Sequence, residues 1–597
     1  MNKSESETQQ NNELANPLHT TRETIEALAI AFVLAFMFKA YIIELYGIPT
    51  GSMASTLMGR HKDVNCEVCG YPFQLSASSE SNDGAERPLA KKDLPRIVGG
   101  TCPQCLYTMY VGEDNIIGKT HMSFSGDRIF VNKYLFSFRE PSRWHVTVFR
   151  YPAHPQTNYI KRCVGLENET VMLRNGQVFV QKDGSDHFEI QRKPLRALLS
   201  MLRPVDDNNY VVPAIHELGW KTRWYSDDSN WERSDDYKSF TGDGGDEISW
   251  LNFRYITATT SDWYQLIQGE LPKQNPTGVP QLITDTVAYN TNLIQYPSRP
   301  RREVYNVEME QNDVKQMCRR APDGIGLNWV GDLAMRCTLN IENMNRNGSV
   351  LFNLVKGGIN FQCELYHEQK NDEITALFCI PDVREFEPFR INVPIYMGRN
   401  HDIMFCNVDE EMRLIINGKE IDTQGKCRYD HLCVDGGPLS RDRSPTELDL
   451  EPAAIGLYGG MIEVKNLKIM RNLYYISCDE TTRDGMNCDL INSPFRYGFA
   501  FDEESAKTIL STPAYWKTFG KTRQTTFKLE KDQFLMCGDN SAQSKDSRLW
   551  TEDKIPHYVD RKYLIGEAVS VFWPHGLRIP GTKLAVIPNF SKMRWID

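Results

Sequence analysis

Three things are scarce in this sequence, and each scarcity excludes something. Positive charge is nowhere concentrated: 68 lysines and arginines stand against 78 acidic residues, a net charge of −10, and no basic block interrupts the mixture. Nucleic-acid binders draw affinity from clustered lysine and arginine on phosphates, so a nucleic-acid partner is not expected. Internal repetition at a solenoid period is absent, which removes stacked-repeat architectures. Long apolar runs are down to one, near the amino terminus, so at most one helical membrane span is available.

What is present describes a large folded protein. At 597 residues the chain exceeds a single core, and about two to four domains are expected. Hydrophobic residues at 41% and charged residues at 24% are ordinary for a folded chain. Fifteen cysteines are an odd number, so they cannot all pair within one chain.

The amino terminus sets the expected compartment. Residues 1–26 are polar and mix charges of both signs, which reads as a disordered tail. Ala27 to Phe38 is then apolar without a break, and beyond Lys39 the pattern resumes to Ile43. A transmembrane helix over 27–46 is expected, with the Lys39 stem reaching toward the interface. A cleavable signal peptide fits less well, because the start is mixed in charge and the exit is Lys39-Ala40-Tyr41-Ile42-Ile43. Lys3 and Arg22 precede the run while Lys39, Arg60 and Lys62 follow it, so charge leaves its orientation open.

Three short clusters follow in order. Ile48-Pro49-Thr50-Gly51-Ser52-Met53 turns sharply and exposes a serine hydroxyl. Tyr159-Ile160-Lys161-Arg162-Cys163-Val164 sets a lysine between apolar flanks. Gly538-Asp539-Asn540-Ser541-Ala542-Gln543-Ser544-Lys545-Asp546-Ser547-Arg548 is a polar turn behind a short apolar strand. An ordinary lysine has a pKa near 10.4, and burial beside apolar groups lowers it enough for the neutral amine to take a proton from a serine. Serine, lysine and a Gly-Asp-Asn turn, in that order behind an apolar segment, resemble the type I signal peptidases, membrane-bound Ser/Lys proteases that remove signal peptides.

The resemblance covers about half of the chain in four blocks, the remaining one being Gly126-Asp127-Arg128-Ile129-Phe130-Val131-Asn132-Lys133. It implies Ser52 as nucleophile and Lys161 as base, with the Thr50 hydroxyl and the Ser52 N–H binding the oxyanion. It further implies that Ser544 hydrogen-bonds the lysine, that Asp546 and Arg548 hold the site's shape, and that Asp539 is a structural turn acid. Catalysis then needs no cofactor, and the partners are signal-peptide-bearing precursors and a lipid bilayer, with the catalytic domain on the extracytoplasmic side of the cell membrane. Three positions depart from the family: Ser55 replaces a usual proline, His145 stands where Asp is common, and Glu167-Asn168-Glu169 replaces Pro-Gly-Asp. His145 and His154 lie outside any matching motif, which sets a Ser/His pairing aside.

Cys66-Glu67-Val68-Cys69 and Cys102-Pro103-Gln104-Cys105 are two Cys-x2-Cys pairs. Four thiolates complete a tetrahedral zinc site with no open position for water, so a structural zinc-ribbon-like insertion over 62–108 is expected. In an oxidising compartment two disulfides are the competing outcome.

From 195 to 478 the protease pattern stops. Leu333, Met335, Cys337, Leu339 and Ile341 alternate, as do Ile359, Phe361, Cys363 and Leu365, and Asn417-Gly418 is a hairpin signal. This predicts a β-sandwich over about 325–475, concanavalin/laminin-G-like in pattern, in which Cys337, Cys363, Cys379 and Cys406 are small buried hydrophobes. The fold class is thus mainly β: a catalytic core in two parts, 47–194 and 479–597, around an inserted region. Because the motifs are complete without the insert, its excision is expected to leave Ser52 and Lys161 active. A self-cleaving repressor shares the dyad but lacks the apolar run, and an inactive scaffold would not need Ser52, Lys161, Ser544, Asp546 and Arg548 intact.

Overall fold

The structure, a computed structural model, describes residues 17–41, 43–83, 88–111, 123–295, 326–368, 373–434, 437–439, 443–477, 488–491, 503–553, 555–577 and 587–596. It is mainly β, as expected. Helix Pro17–Tyr41 comes first, with Ile25, Leu28, Ile30, Phe32, Val33, Leu34, Phe36 and Met37 exposed on it. This revises the expected boundaries of 1–26 and 27–46. The helix starts within the supposed tail, and strand Ile43–Gly47 takes the end of the range because it pairs antiparallel with Arg128–Asn132. Among the described residues no helix is long and apolar enough to cross a membrane, so the expected transmembrane helix is not supported by the structure.

The eight-stranded sheet is woven from both ends of the chain. Its order is Ile43–Gly47, Arg128–Asn132, Leu564–Trp573, Val146–Tyr151, His154–Gly165, Gln533–Cys537 and Val559–Asp560, with Arg594–Trp595 also paired to Leu564–Trp573. Alternation drives the packing: Ile129, Val131, Val146 and Val148 turn inward with Ala568 and Val571, and Ile48, Met53 and Leu57 close the same core. A second, four-stranded sheet repeats the weave, with Gln524–Leu529 paired to Glu169–Arg174, which pairs on its other side with Gln177–Lys182.

The region 195–478 supplies a 13-stranded antiparallel assembly around a separate large apolar core. Leu333–Lys356 and Ala453–Arg471 pair along most of their length, and Ile359–His367 and Asn400–Val408 flank the first of them. Asn417 and Gly418 both have positive φ and close a two-residue hairpin between Ile416 and Lys419, the geometry this dipeptide favours. Cys337, Cys363 and Cys406 are buried and Cys379 is half-buried. The sheet begins well before 325: Arg203–Asp207, Trp224–Tyr225, Trp231–Arg233, Ser239–Asp243 and Ser249–Phe253 all join it. Their periodicity was weak in sequence because each strand is short.

Candidate active site

The loop after Ile48 is fixed at its base before its serine is considered. Ile48 N–H donates to the Asp127 carbonyl (2.8 Å), while the Asp127 N–H donates to the Met58 carbonyl (2.8 Å) and its carboxylate accepts from the Met58 N–H (2.9 Å). Met53 is fully buried in the sheet core, which pins the residue next to Ser52. Inside the loop, Ala54 N–H reaches the Gly51 carbonyl (3.0 Å) and Leu57 N–H the Met53 carbonyl (2.8 Å). Ser52 is thus presented half-buried on a braced turn, with Thr50 exposed beside it.

Lys161 approaches from strand His154–Gly165, opposite Thr147 of the neighbouring strand. The first half of this strand is exposed and the second half buried, and the change falls at the lysine. Its Nζ donates a hydrogen bond to Ser52 Oγ. Lys161 is 4% exposed, and burial brings its pKa down to about 8, against the attraction of Asp546 and with the repulsion of Arg548. A hydroxyl held against a desolvated amine can lose its proton to that amine while attacking a carbonyl.

Two buried ion pairs frame the dyad. Arg162, next to Lys161, grips Asp539 with Nε (2.9 Å to Oδ1) and Nη2 (2.7 Å to Oδ2), and the Thr56 hydroxyl donates to the same carboxylate. Burial alone would raise the Asp539 pKa, but the Arg162 charge and hydrogen bonds outweigh it and hold the group below the usual carboxylate range. Arg548 binds Asp546 in the same forked way (Nε to Oδ1 2.8 Å, Nη2 to Oδ2 2.7 Å), and Gly538 N–H donates to Asp546 Oδ2 (2.8 Å). Asp546 too is kept below the usual range: burial opposes ionisation, and Arg548 overrides it. The close approach of strand Gln533–Cys537 to the serine loop requires glycine at 538, where a Cβ would lie 2.5 Å from the Ser52 carbonyl oxygen.

Ser52, Lys161, Asp539, Asp546 and Arg548 come together as described. Ser544 does not play the part the resemblance implies. Its hydroxyl is buried behind Gly538 and makes no hydrogen bond to Lys161; it lies against the Asp546 carboxylate, whose pKa it helps to lower. His145 is paired with Glu567 (3.1 Å), which leaves it committed elsewhere. Sequence reasoning missed Asn540: its N–H donates to the Ser52 carbonyl (3.0 Å) and its Nδ2 to the Gly51 carbonyl (3.0 Å), one hydrogen bond on each side of the nucleophile's peptide. The Gly-Asp-Asn turn was the available signal, and its asparagine was not singled out.

Away from the dyad, the four cysteines converge. Cys66–Cys69 and Cys102–Cys105 sit in matching turns, with Gly70 N–H on the Cys66 carbonyl and Leu106 N–H on the Cys102 carbonyl, both 3.0 Å. Gly70 and Leu106 have positive φ, which folds each turn back under its thiols. The four sulfurs lie within 4.8 Å of one another, with Cys66–Cys105 at 3.5 Å and Cys69–Cys102 at 3.7 Å. Zinc–sulfur bonds of about 2.3 Å require tetrahedral edges of about 3.8 Å, so the donor set fits zinc, while a disulfide would need about 2.05 Å. A second grouping, His61, Asp63 and His575, has the same compactness but is already neutralised. The Lys592 ammonium stands within it, 3.0 and 3.2 Å from the Asp63 oxygens and 3.1 Å from His575 Nε2.

The fold and site together set a serine hydroxyl against a buried lysine amine on a β scaffold. The signal peptidase (peptidase S26) family model matches residues 110–216 and 454–573 of the chain. The matched segments contain Lys161 and the whole turn from Gly538 to Arg548 but begin after Ser52, so it is the geometry that joins the serine to them. Signal peptidase I of Pseudomonas fluorescens is 29% identical over 128 residues, 15% of this chain and 43% of the relative. That of Pseudomonas aeruginosa is 38% identical over 76 residues, covering 10% and 27%, and that of Rickettsia bellii 24% identical over 180 residues, covering 30% and 46%. The chain therefore spans less than half the length of each of these curated relatives. Among solved structures, a carbohydrate binding module from Bacillus subtilis has a TM-score of 0.20 at 7% identity, covering 42% of this chain and 95% of its own.

Proposed function

We propose that the protein is a signal peptidase I, a serine endopeptidase that cuts N-terminal signal peptides from exported precursors by a Ser/Lys dyad. Ser52 Oγ attacks the scissile carbonyl carbon as its proton passes to Lys161 Nζ, and the Ser52 N–H with the Thr50 hydroxyl binds the oxyanion. Collapse breaks the peptide C–N bond, and Lys161 returns the proton to the leaving amine. Water, deprotonated by the neutral lysine, then releases the acyl group from Ser52. The carrying observation is the Lys161 Nζ to Ser52 Oγ hydrogen bond at a lysine whose burial favours the neutral amine. Asp539 with Arg162, and Asp546 with Arg548, position this pair without touching the reacting atoms.

The four cysteines Cys66, Cys69, Cys102 and Cys105 hold a structural zinc in this reading, remote from the chemistry. The exposed apolar stretch of helix Pro17–Tyr41 associates with the cell membrane, with the catalytic domain on the extracytoplasmic side, where precursors emerge. The region 195–478 is the inserted β-sandwich domain of a split core, 47–194 and 479–597. Incubating the purified protein with a signal-peptide-bearing precursor tests the activity. Cleavage at the signal peptide junction that is lost in Ser52→Ala supports it, and cleavage that survives the substitution assigns the chemistry elsewhere. Carbonate extraction of membranes tests the attachment.

A further inference from the structure

The segment Ala288–Asn290 belongs to the region 195–478 and lies in the gap between the two segments matched by the signal peptidase family, yet it reaches the serine loop. Asn290 and Asn540 exchange side-chain hydrogen bonds: Asn290 Nδ2 donates to Asn540 Oδ1 (2.7 Å), and Asn540 Nδ2 donates to Asn290 Oδ1 (2.8 Å). Both residues are buried. Asn540 uses the same amide, with its own N–H, to hold the Gly51 and Ser52 carbonyls. Next to it, the Tyr289 ring lies where a side chain at 51 would be, and its hydroxyl donates to the Arg60 carbonyl (3.2 Å). The segment is anchored in turn. Arg471 Nη2 donates to the Thr286 carbonyl (2.7 Å), Thr291 Oγ1 accepts from the Thr101 N–H (2.9 Å), and Leu293–Gln295 pairs with Arg96–Thr101 of the four-cysteine module.

We propose that Asn290 is a positioning residue for the nucleophile, so that the inserted region is a working part of the active site. The proposal rests on the signal peptidase reading for its kinetic arm alone. Asn540 keeps its side-chain donor on the Gly51 carbonyl only while its own side-chain oxygen is occupied and its amide cannot rotate, and Asn290 does both. Without Asn290 the buried amide loses both of its Asn290 hydrogen bonds and is free to flip, presenting oxygen to the Gly51 carbonyl. The serine loop then loosens against Lys161, and misplacements of this kind cost rate steeply. Excision of 195–478 consequently removes a support of Ser52, contrary to the expectation that the core works without it.

The test compares full-length protein with Asn290→Ala and with the milder Asn290→Ser, each first checked for folding by circular dichroism. In precursor cleavage, kcat falls by about tenfold to a hundredfold, while KM and the pH midpoint of the rate stay near the parent's, since Asn290 is buried behind the serine loop and does not touch Lys161. Asn290→Ala combined with Asn540→Ala loses little more than Asn540→Ala alone. Hydrogen exchange by mass spectrometry reads the loop without any activity: the amides of Ala54, Leu57 and Asn540, all bonded within or onto the loop, exchange faster in both variants. If the parent cuts no precursor, the peptidase reading fails and the exchange arm alone decides the present one. Unchanged protection across 50–57 in a folded Asn290 variant overturns it, as does parental kcat.

Discussion

Lysine 161 carries two consequences of its burial. With its pKa brought to about 8, turnover should rise about tenfold per pH unit below that value and level above it. Lys161→Arg and Lys161→Met should each abolish cleavage, because a guanidinium does not deprotonate and a thioether is no base; a steady-state pH profile and single-point assays check both. Stability also rises with pH, in a higher window. The folded lysine binds its proton less tightly than the unfolded one, so between about pH 8 and 10.5 the unfolded chain holds more protons and stability rises with pH. Below about pH 8 the full penalty applies, on the order of 3 kcal/mol. Lys161→Met should therefore raise Tm more at pH 7 than at pH 10 by thermal denaturation. Gly538→Ala places a methyl against the Ser52 carbonyl and should cut activity while the fold persists. At this scale Ser52, Lys161 and the Asp546–Arg548 couple were legible from flanking residues and order, while the pairing of Asp539 with Arg162 was not. Asn290 was not: Ala288-Tyr289-Asn290-Thr291 carries no local signal, and its partner lies 250 positions away. Glu169 resolves one family departure, since its carboxylate accepts both Arg143 bonds (2.8 Å each) and the Leu166 N–H (2.6 Å), closing the turn without Pro-Gly-Asp.

Among the elements, the four-cysteine module was readable from spacing because two Cys-x2-Cys turns impose their own geometry. Elemental analysis should find about one zinc per chain, with chelation lowering Tm. No metal together with the loss of four thiols in a thiol count would mean two disulfides. The amino-terminal helix was legible as apolar but not in its limits, because hydropathy says nothing of the strand that follows. Ile43–Gly47 is fixed by pairing with Arg128–Asn132, far along the chain. The short strands of 203–253 were hidden for the same reason, since each is defined by its partner, Ala453–Arg471 for three of them.

Taken whole, the molecule joins its parts more tightly than an insertion of one domain into another requires. Ala197 and Met201 pack with Val164, Val171, Leu473, Tyr475, Leu529 and Leu535 in one apolar cluster that spans the boundaries at 195 and 478. Lys193 pairs with Asp409 (2.6 Å) and Gln177 with Asp332 (2.9 Å), both buried. Replacing 195–478 with a Gly/Ser linker should accordingly give a chain with lowered Tm and no precursor cleavage, measured beside the full-length protein. The sequence could not reveal this, because contiguous motifs say where a pattern stops, not which side chains cross the border.

The position of Leu564–Trp573 between Arg128–Asn132 and Val146–Tyr151 also sets a timetable. A ribosome delivers the two outer strands first, with the slot between them open, and delivers the strand that fills it long afterwards. Strand Gln533–Cys537, which leads to the turn under Ser52, is late as well. The serine and lysine are thus synthesised well before the strands that bring them together. A centre built in this order stays unformed until those strands arrive.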